Sequence, residues 1–326
     1  MSFDWRDRRT FVTGATGLLG SWLVEELLRR GADVVCLVRD RTPRSRFFEE
    51  GIATKTTIVD GDVADERLIL RALNEHEIDT VFHLAAQTIV GTAARSTLST
   101  FEANVKGTWV VLDACRELKG LVKRVVVASS DKAYGVHDVL PYTEDAPLQG
   151  RFPYDVSKSC SDLIALSFAA TYGVPVSVTR CGNLYGGGDL NWSRIVPGTI
   201  RTALRGERPV VRSDGTLLRD YFYVEDAVAA YLLLAESIEA KNLGGRAFNF
   251  GTGSPVKVLD IVDAVLRAVG RPDLAPVIEG KNFGEIPAQW LDSGRAEREL
   301  GFRHRFPLDE GIRRATDWYR RRLAIP

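Results

Sequence analysis

Near the N-terminus the segment Val12-Thr13-Gly14-Ala15-Thr16-Gly17-Leu18-Leu19-Gly20 joins a β-branched run to a helical one. Glycine permits a tight turn and a close approach of backbone to an anion, whose charge a helix N-terminus favours. Such a loop needs a strand before it and a helix after it, so it commits the chain to a βαβ beginning. The rhythm continues: strands are predicted over 10–13, 33–38, 56–59, 80–83, 124–128 and 176–180, alternating with helices over 18–30, 65–74, 97–118 and 154–172. That alternation is the pattern of a doubly wound parallel sheet, an α/β fold of Rossmann type.

At 326 residues the chain exceeds the usual size of one core. After Arg180 the pattern loosens into a glycine run at 186–188, a helix near 194–205 and a short strand at 209–212. A helix over 224–236 and an apolar strand over 247–250 are expected to rejoin the main sheet. The predicted division is therefore a cofactor-binding domain over 1–180 plus about 222–252, and a smaller C-terminal α/β substrate lobe over about 181–221 and 253–326.

Lysine plus arginine equals aspartate plus glutamate at 43 each, which leaves no basic footprint for nucleic acid or an anionic membrane. The basic stretch 313–322 reads as the solvated face of a last helix. The longest apolar run, 227–235, is far too short to span a bilayer, and the charged, glycine-interrupted start does not resemble a signal peptide; a cytoplasmic protein is expected. Cys36, Cys115, Cys160 and Cys181 form no CxxC pair and read as reduced, buried thiols, and the scattered histidines, His83 included, read as packed residues. No metal is predicted.

The GxxGxxG spacing of Gly14, Gly17 and Gly20 resembles that of extended short-chain dehydrogenases of the NAD-dependent epimerase/dehydratase type. The resemblance implies a bound NAD(P) held by Gly14, Thr16, Gly17, Leu18 and Gly20. It also implies that Asp62 and Val63 hold the adenine, that Leu84, Ala85 and Ala86 pass beside the ribose, and that Asn104 and Cys181 complete the cofactor site. The choice between NAD and NADP falls to the end of the second strand, where a carboxylate would hold ribose hydroxyls and an arginine a 2′-phosphate. Arg39 and Asp40 stand there side by side, and both cofactors stay open.

Tyr154 and Lys158 are at i and i+4, on one face of a helix. A tyrosine with a pKa near roughly 10 is a poor base at neutral pH, and the lysine charge is expected to favour its phenolate. Directly after the fifth strand comes Ser129-Ser130-Asp131-Lys132. Ser130 matches the family position whose hydroxyl bonds the reacting oxygen of the substrate. Sugar-nucleotide 4-epimerases typically carry small residues just after it; here two ionisable groups follow. The pair resembles the Asp-Glu of dTDP-glucose 4,6-dehydratases, and Ser-Asp-Lys is closer still to the CDP-glucose 4,6-dehydratases.

Hydride exchange at one carbon needs one acid/base, whereas eliminating water also needs a base for a carbon-bound proton and an acid for the departing hydroxyl. The resemblance gives those roles to Lys132 and Asp131, with Tyr154 deprotonating the hexose 4-hydroxyl as its hydride passes to NAD(P)+ and later returns to C6. Burial beside Lys158 is expected to help Lys132 lose its proton. Gln87, Ser130, Asn183, Arg194, Arg212 and Arg219 are the implied contacts of a nucleotide-activated hexose, the arginines meeting its diphosphate. Helices 97–118 and 154–172 are the family's dimer-forming pair, which implies a homodimer. An epimerase and a regulator that kept the fold without its chemistry are the rival readings; intact Ser130, Tyr154 and Lys158 speak against the second rival.

Overall fold

Each strand of the first half sends its side chains to two different cores. In the computed structural model, which describes residues 3–281 and 286–323, the chain runs β1 (Arg9–Thr13), α1 (Leu18–Arg29), β2 (Asp33–Val38), α2 (Arg46–Glu49), β3 (Thr57–Asp60), α3 (Glu66–Glu75) and β4 (Thr80–His83). It continues through α4 (Val90–Arg95), α5 (Thr97–Phe101), α6 (Gly107–Glu117), β5 (Arg124–Ala128), α7 (Pro153–Tyr172) and β6 (Val176–Cys181). Phe11, Val35, Val81 and Val125 pack with Ile69, Val111 and Ala165 of the helices on one side. Their neighbours Val12, Cys36, Phe82 and Val126 pack with Leu23, Ala227 and Tyr231 on the other. A sheet buried on both faces explains why its strands read as continuous apolar runs. Phe82→Ala would cost about 3–5 kcal/mol.

The second half contains β7 (Asn183–Tyr185), α8 (Ile195–Leu204), β8 (Val210–Val211), β9 (Leu218–Tyr223), α9 (Val224–Ile238) and β10 (Arg246–Phe250). After these come β11 (Pro255–Lys257), α10 (Val258–Val269), β12 (Val277–Ile278), β13 (Ala288–Gln289), α11 (Gly294–Leu300) and α12 (Leu308–Arg322). The central sheet has seven strands in the order β10-β6-β5-β4-β1-β2-β3, all parallel. The order reverses between β1 and β4, where a crevice opens at the carboxyl ends of the strands. A second sheet is built on β9, which pairs with β7, β11 and β13.

The sequence expectation for β10 holds: it lies beside β6, in parallel register. Two expectations need correction. The helix predicted over 97–118 is interrupted by a π-helical turn at Glu102–Lys106; the wider turn carries Asn104, whose side chain bonds Gln87 and Ser157. Strands β7 and β9 were not foreseen, because Arg219 and Asp220 interrupt the apolar pattern of β9. Asp220 is buried and satisfied there by Thr252 and by the backbone of Gly253. In α12, Arg313 and Arg314 pair with Glu310 on the surface, while Ile312, Trp318 and Tyr319 are buried beneath them.

Candidate active site

A cleft of about 1080 Å³ runs from the β1–α1 loop, past the ends of β4, β5 and β6, to the segment before β9. Gly14, Thr16, Gly17, Leu18 and Gly20 form one end of its lining. Gly14 has φ +76°, and a Cβ there would stand 2.9 Å from Ala85 N; at Gly20 a Cβ would stand 2.1 Å from Gly14 O. Both positions exclude a side chain, whereas a Cβ at Gly17 would stand 3.3 Å from Gly14 O and needs only a small adjustment. No side chain caps α1 and no acid lies in its first turn, which leaves its amide donors and positive end for an anion. This cradle fits a dinucleotide pyrophosphate. Leu84, Ala85, Ala86 and Cys181 line the next stretch, and Thr13 Oγ1 accepts from the amides of Leu84 and Ala85 at 3.1 and 3.0 Å.

Several expected residues lie off this wall. Arg39 and Asp40, just past β2, are exposed and paired with each other at 2.7 Å. Asp62 accepts from Ala64 N at 2.8 Å, and Val63 is buried against Gly107. Gln87 does not line the cleft: its Oε1 accepts from Ile89 N at 3.1 Å, and the neighbouring Thr88, Ile89 and Val90 line the cleft instead. Asn104 is buried behind the wall, clamping the Gln87 backbone and Ser157 Oγ. His83 is buried between Thr13 and Thr108, and burial pushes its pKa down to about 3. Among the described residues no cluster of metal-ligating side chains occurs, and no helix is long and apolar enough to cross a membrane.

The middle of the cleft gathers Ser130, Lys132, Tyr154, Asp155 and Lys158. Ser130 caps a 3₁₀ turn, Asp131–Tyr134; its Oγ accepts from Lys132 N at 3.2 Å and donates to Asp131 Oδ1 at 2.9 Å. Asp131 itself is buried one hydrogen bond behind the wall, where Gln289 Nε2 donates to its Oδ2 at 2.6 Å. Burial raises its carboxyl above the usual range, against the pull of Lys132, Gln289, Ser130 and Arg219. The turn is held from below by Tyr134, whose hydroxyl donates to Asn249 and accepts from Arg180, itself paired with the buried Asp162 of α7 at 2.8 Å.

Around Tyr154, burial outweighs the nearby charges. Burial pushes the phenol up to about 12, with Arg194 and Ser130 pulling it back. Lys158 Nζ donates to Ala128 O at 2.8 Å, and burial draws its pKa down to about 8. Lys132 is half-buried rather than enclosed, and its charge holds down the carboxyls of Asp131 and Asp155. Asp155, which sits inside the Tyr154–Lys158 motif without any sequence signal of its own, is raised by burial to about 6.

At the far end Asn183, Arg194, Arg212 and Arg219 all line the cleft. Arg194 is braced by Asp189 at 2.9 Å and donates to Thr88 Oγ1 at 3.0 Å. Arg219, on β9, donates to Leu218 O at 2.8 Å and is almost wholly buried. Gln289 carried no sequence signal: it is a lone polar residue on a two-residue strand.

The chain is 35% identical to a dTDP-glucose 4,6-dehydratase of Streptomyces antibioticus over 317 residues, 95% of this chain and 91% of that one. It is 29% identical to a CDP-glucose 4,6-dehydratase of Salmonella typhimurium, covering 97% and 91% of the two chains. Among solved structures, UDP-glucose 4-epimerase of Thermotoga maritima with UDP-glucose superposes with a TM-score of 0.88 at 28% identity, over 97% of this chain and 99% of that one. Residues 10–251 match the profile of one family. With its cradle, cleft and Tyr154/Lys158 pair, the chain belongs to the NAD dependent epimerase/dehydratase family.

Proposed function

We propose that this protein is a sugar-nucleotide 4,6-dehydratase, which converts a nucleotide-activated hexose to its 4-keto-6-deoxy form. The observation that carries this reading is the Asp131–Lys132 pair on the turn beside Ser130, Tyr154 and Lys158. Gly14, Gly17, Gly20 and the start of α1 would hold the nicotinamide dinucleotide, with Ala85, Ala86 and Cys181 beside it. When bound, that cofactor supplies reversible hydride acceptance, so the overall reaction is redox-neutral.

The remaining work falls to side chains. Tyr154 takes the proton of the 4-hydroxyl, and Ser130 Oγ bonds the same oxygen. The Lys158 charge, retained at neutral pH below its pKa of about 8, favours the phenolate once the sugar is in place. The 4-ketone acidifies the C5 proton, which Lys132 removes in its neutral amine form, and Asp131, whose burial favours the protonated carboxyl, gives a proton to the departing 6-hydroxyl. Arg194, Arg212 and Arg219 meet the diphosphate, and Asn183 donates to it.

The predicted division, 1–180 plus about 222–252 against the remainder, places the cofactor on the central sheet and the sugar nucleotide against the second one. Exposed Leu98, Trp109 and Leu163, at 83%, 41% and 56%, lie on α5, α6 and α7 and favour a homodimer through those helices. The four free cysteines suit a cytoplasmic setting. Arg39 and Asp40 bear on the choice between NAD and NADP, which competitive binding of the two would decide.

Incubation with a panel of nucleotide hexoses, followed by mass spectrometry, tests the reaction. Loss of one water is expected. An isobaric product would overturn dehydration in favour of epimerisation, the second reading, which the likeness to the Thermotoga maritima enzyme favours. Failure to bind a nicotinamide nucleotide would overturn both.

A further inference from the structure

Gln289 stands on β13 in register with Arg219 of β9. Its Nε2 donates to Asp131 Oδ2 at 2.6 Å, across 158 positions of the chain, while Ser130 Oγ donates to the other carboxyl oxygen. The contact ties the second sheet to the turn after β5. Gln289 is 0% exposed, and among the described residues its Oε1 has no hydrogen-bond partner. Leaving such an oxygen unsatisfied costs about 1–3 kcal/mol, which calls for a physical reason.

An amide offers donors at one end and an acceptor at the other, and rotation of its terminal torsion exchanges them. Facing a carboxylate, Nε2 donates, as observed. Facing a carboxylic acid, Oε1 accepts the acid's O–H in place of the Nε2 donation, so one end of the amide is bonded to Asp131 in either state. We propose that Gln289 is a positioning residue for the elimination step, holding the Asp131 carboxyl in place and accommodating it with or without its proton by turning its amide over. The inference rests on the reading of Asp131 as the acid. In the step concerned, Lys132 takes the C5 proton, the C5–C6 double bond forms, and the C6–O bond breaks as that oxygen takes the Asp131 proton and leaves as water. Asp131 remains as a carboxylate, to which Gln289 Nε2 donates until a proton returns from solvent.

The ionisable groups that face Asp131 are Lys132 on its own turn, Tyr142 on the following loop, Tyr154 and Asp155 on α7, Cys181 at the end of β6 and Arg219 on β9. Gln289 is the neutral neighbour whose N–H favours the carboxylate. Removing that N–H lets Asp131 keep its proton to higher pH.

The experiment compares full-length wild type, Gln289→Met and Gln289→Glu with dTDP-glucose or CDP-glucose, whichever the wild type dehydrates. Dehydration is read by mass spectrometry across pH, and oxidation of the sugar by nicotinamide absorbance. Gln289→Met is expected to slow elimination about tenfold and to move its alkaline limb to higher pH, with sugar oxidation unchanged. Gln289→Glu, nearly isosteric and therefore decisive if the Met variant does not fold, is expected to move the limb further, because two carboxyls share one proton. An alkaline limb that stays at the wild-type position in the folded variants, or oxidation falling in step with elimination, overturns the proposal. A wild type that yields only an isobaric product instead overturns the dehydratase reading; a wild type that eliminates while the variants keep its pH profile overturns the role of Gln289 alone.

Discussion

The loop after β1 and the turn after β5 lie along the same cleft and are built on opposite principles. The first works by the absence of side chains: at Gly14 and Gly20 the space a Cβ would need is already filled by backbone. The second works by side chains crowded where charge is costly, with Asp131 buried and Ser130, Lys132 and Gln289 arranged around its carboxyl. One is shaped by backbone geometry, with no ionisable side chain between Gly14 and Gly20. The other is set by proton affinities and inherits their dependence on pH.

The widest separation between the two is expected from Asp131→Asn. The amide keeps the shape and loses the acid, so elimination should fall about thousandfold while the sugar still reduces bound cofactor. Parallel loss of both steps would show that the turn cannot be altered without disturbing the loop's ligand. In the loop, Gly20→Ala forces its Cβ against Gly14 O and should weaken nicotinamide dinucleotide binding about a hundredfold, measured by fluorescence titration. Gly17→Ala is the matched control. Its Cβ meets Gly14 O at 3.3 Å, and the expected loss is about threefold or less; equal losses at the two glycines would refute the steric account.

A smaller effect should appear in stability. Asp155 is raised to about 6 by burial, from the 3.8 of an unperturbed aspartate. Between those values the folded chain holds a proton that the unfolded chain releases, so this group's contribution to stability falls as pH rises from about 4 to about 6. Urea midpoints should show that decline, and Asp155→Asn should flatten it. A slope unchanged in the variant would assign the pH dependence to other groups.

The shape of the loop was legible in the sequence because it resides in glycine spacing between a strand and a helix, and spacing survives without knowledge of the fold. So were β1 through β6, whose boundaries shifted by a residue or so, because burial on both faces writes itself as apolar runs. The turn was legible in part: Ser130, Asp131 and Lys132 follow a strand, but the depth of Asp131 behind the wall depends on what packs over it. Gln289 is brought there from the far end of the chain by the pairing of β13 with β9, and a contact of that range leaves no local mark. The direction of the Gln87 side chain was not legible, because position in a motif says nothing of where a side chain turns; here it accepts from a nearby backbone amide. The charged interior of β9 hid a strand because Arg219 and Asp220 are buried with partners that the sequence keeps elsewhere.

The placement of β10 at the margin of the central sheet has a consequence for synthesis. Strands β1 to β6 leave the ribosome in order, yet β6 receives its outer neighbour only when Arg246–Phe250 has been made. While the residues between Cys181 and Arg246 are being added, β6 stands as an open, apolar edge with unpaired amides and carbonyls. The nascent chain therefore passes through an interval in which self-association competes with completion of the sheet. The pace of translation across that one segment sets how long the edge stays open.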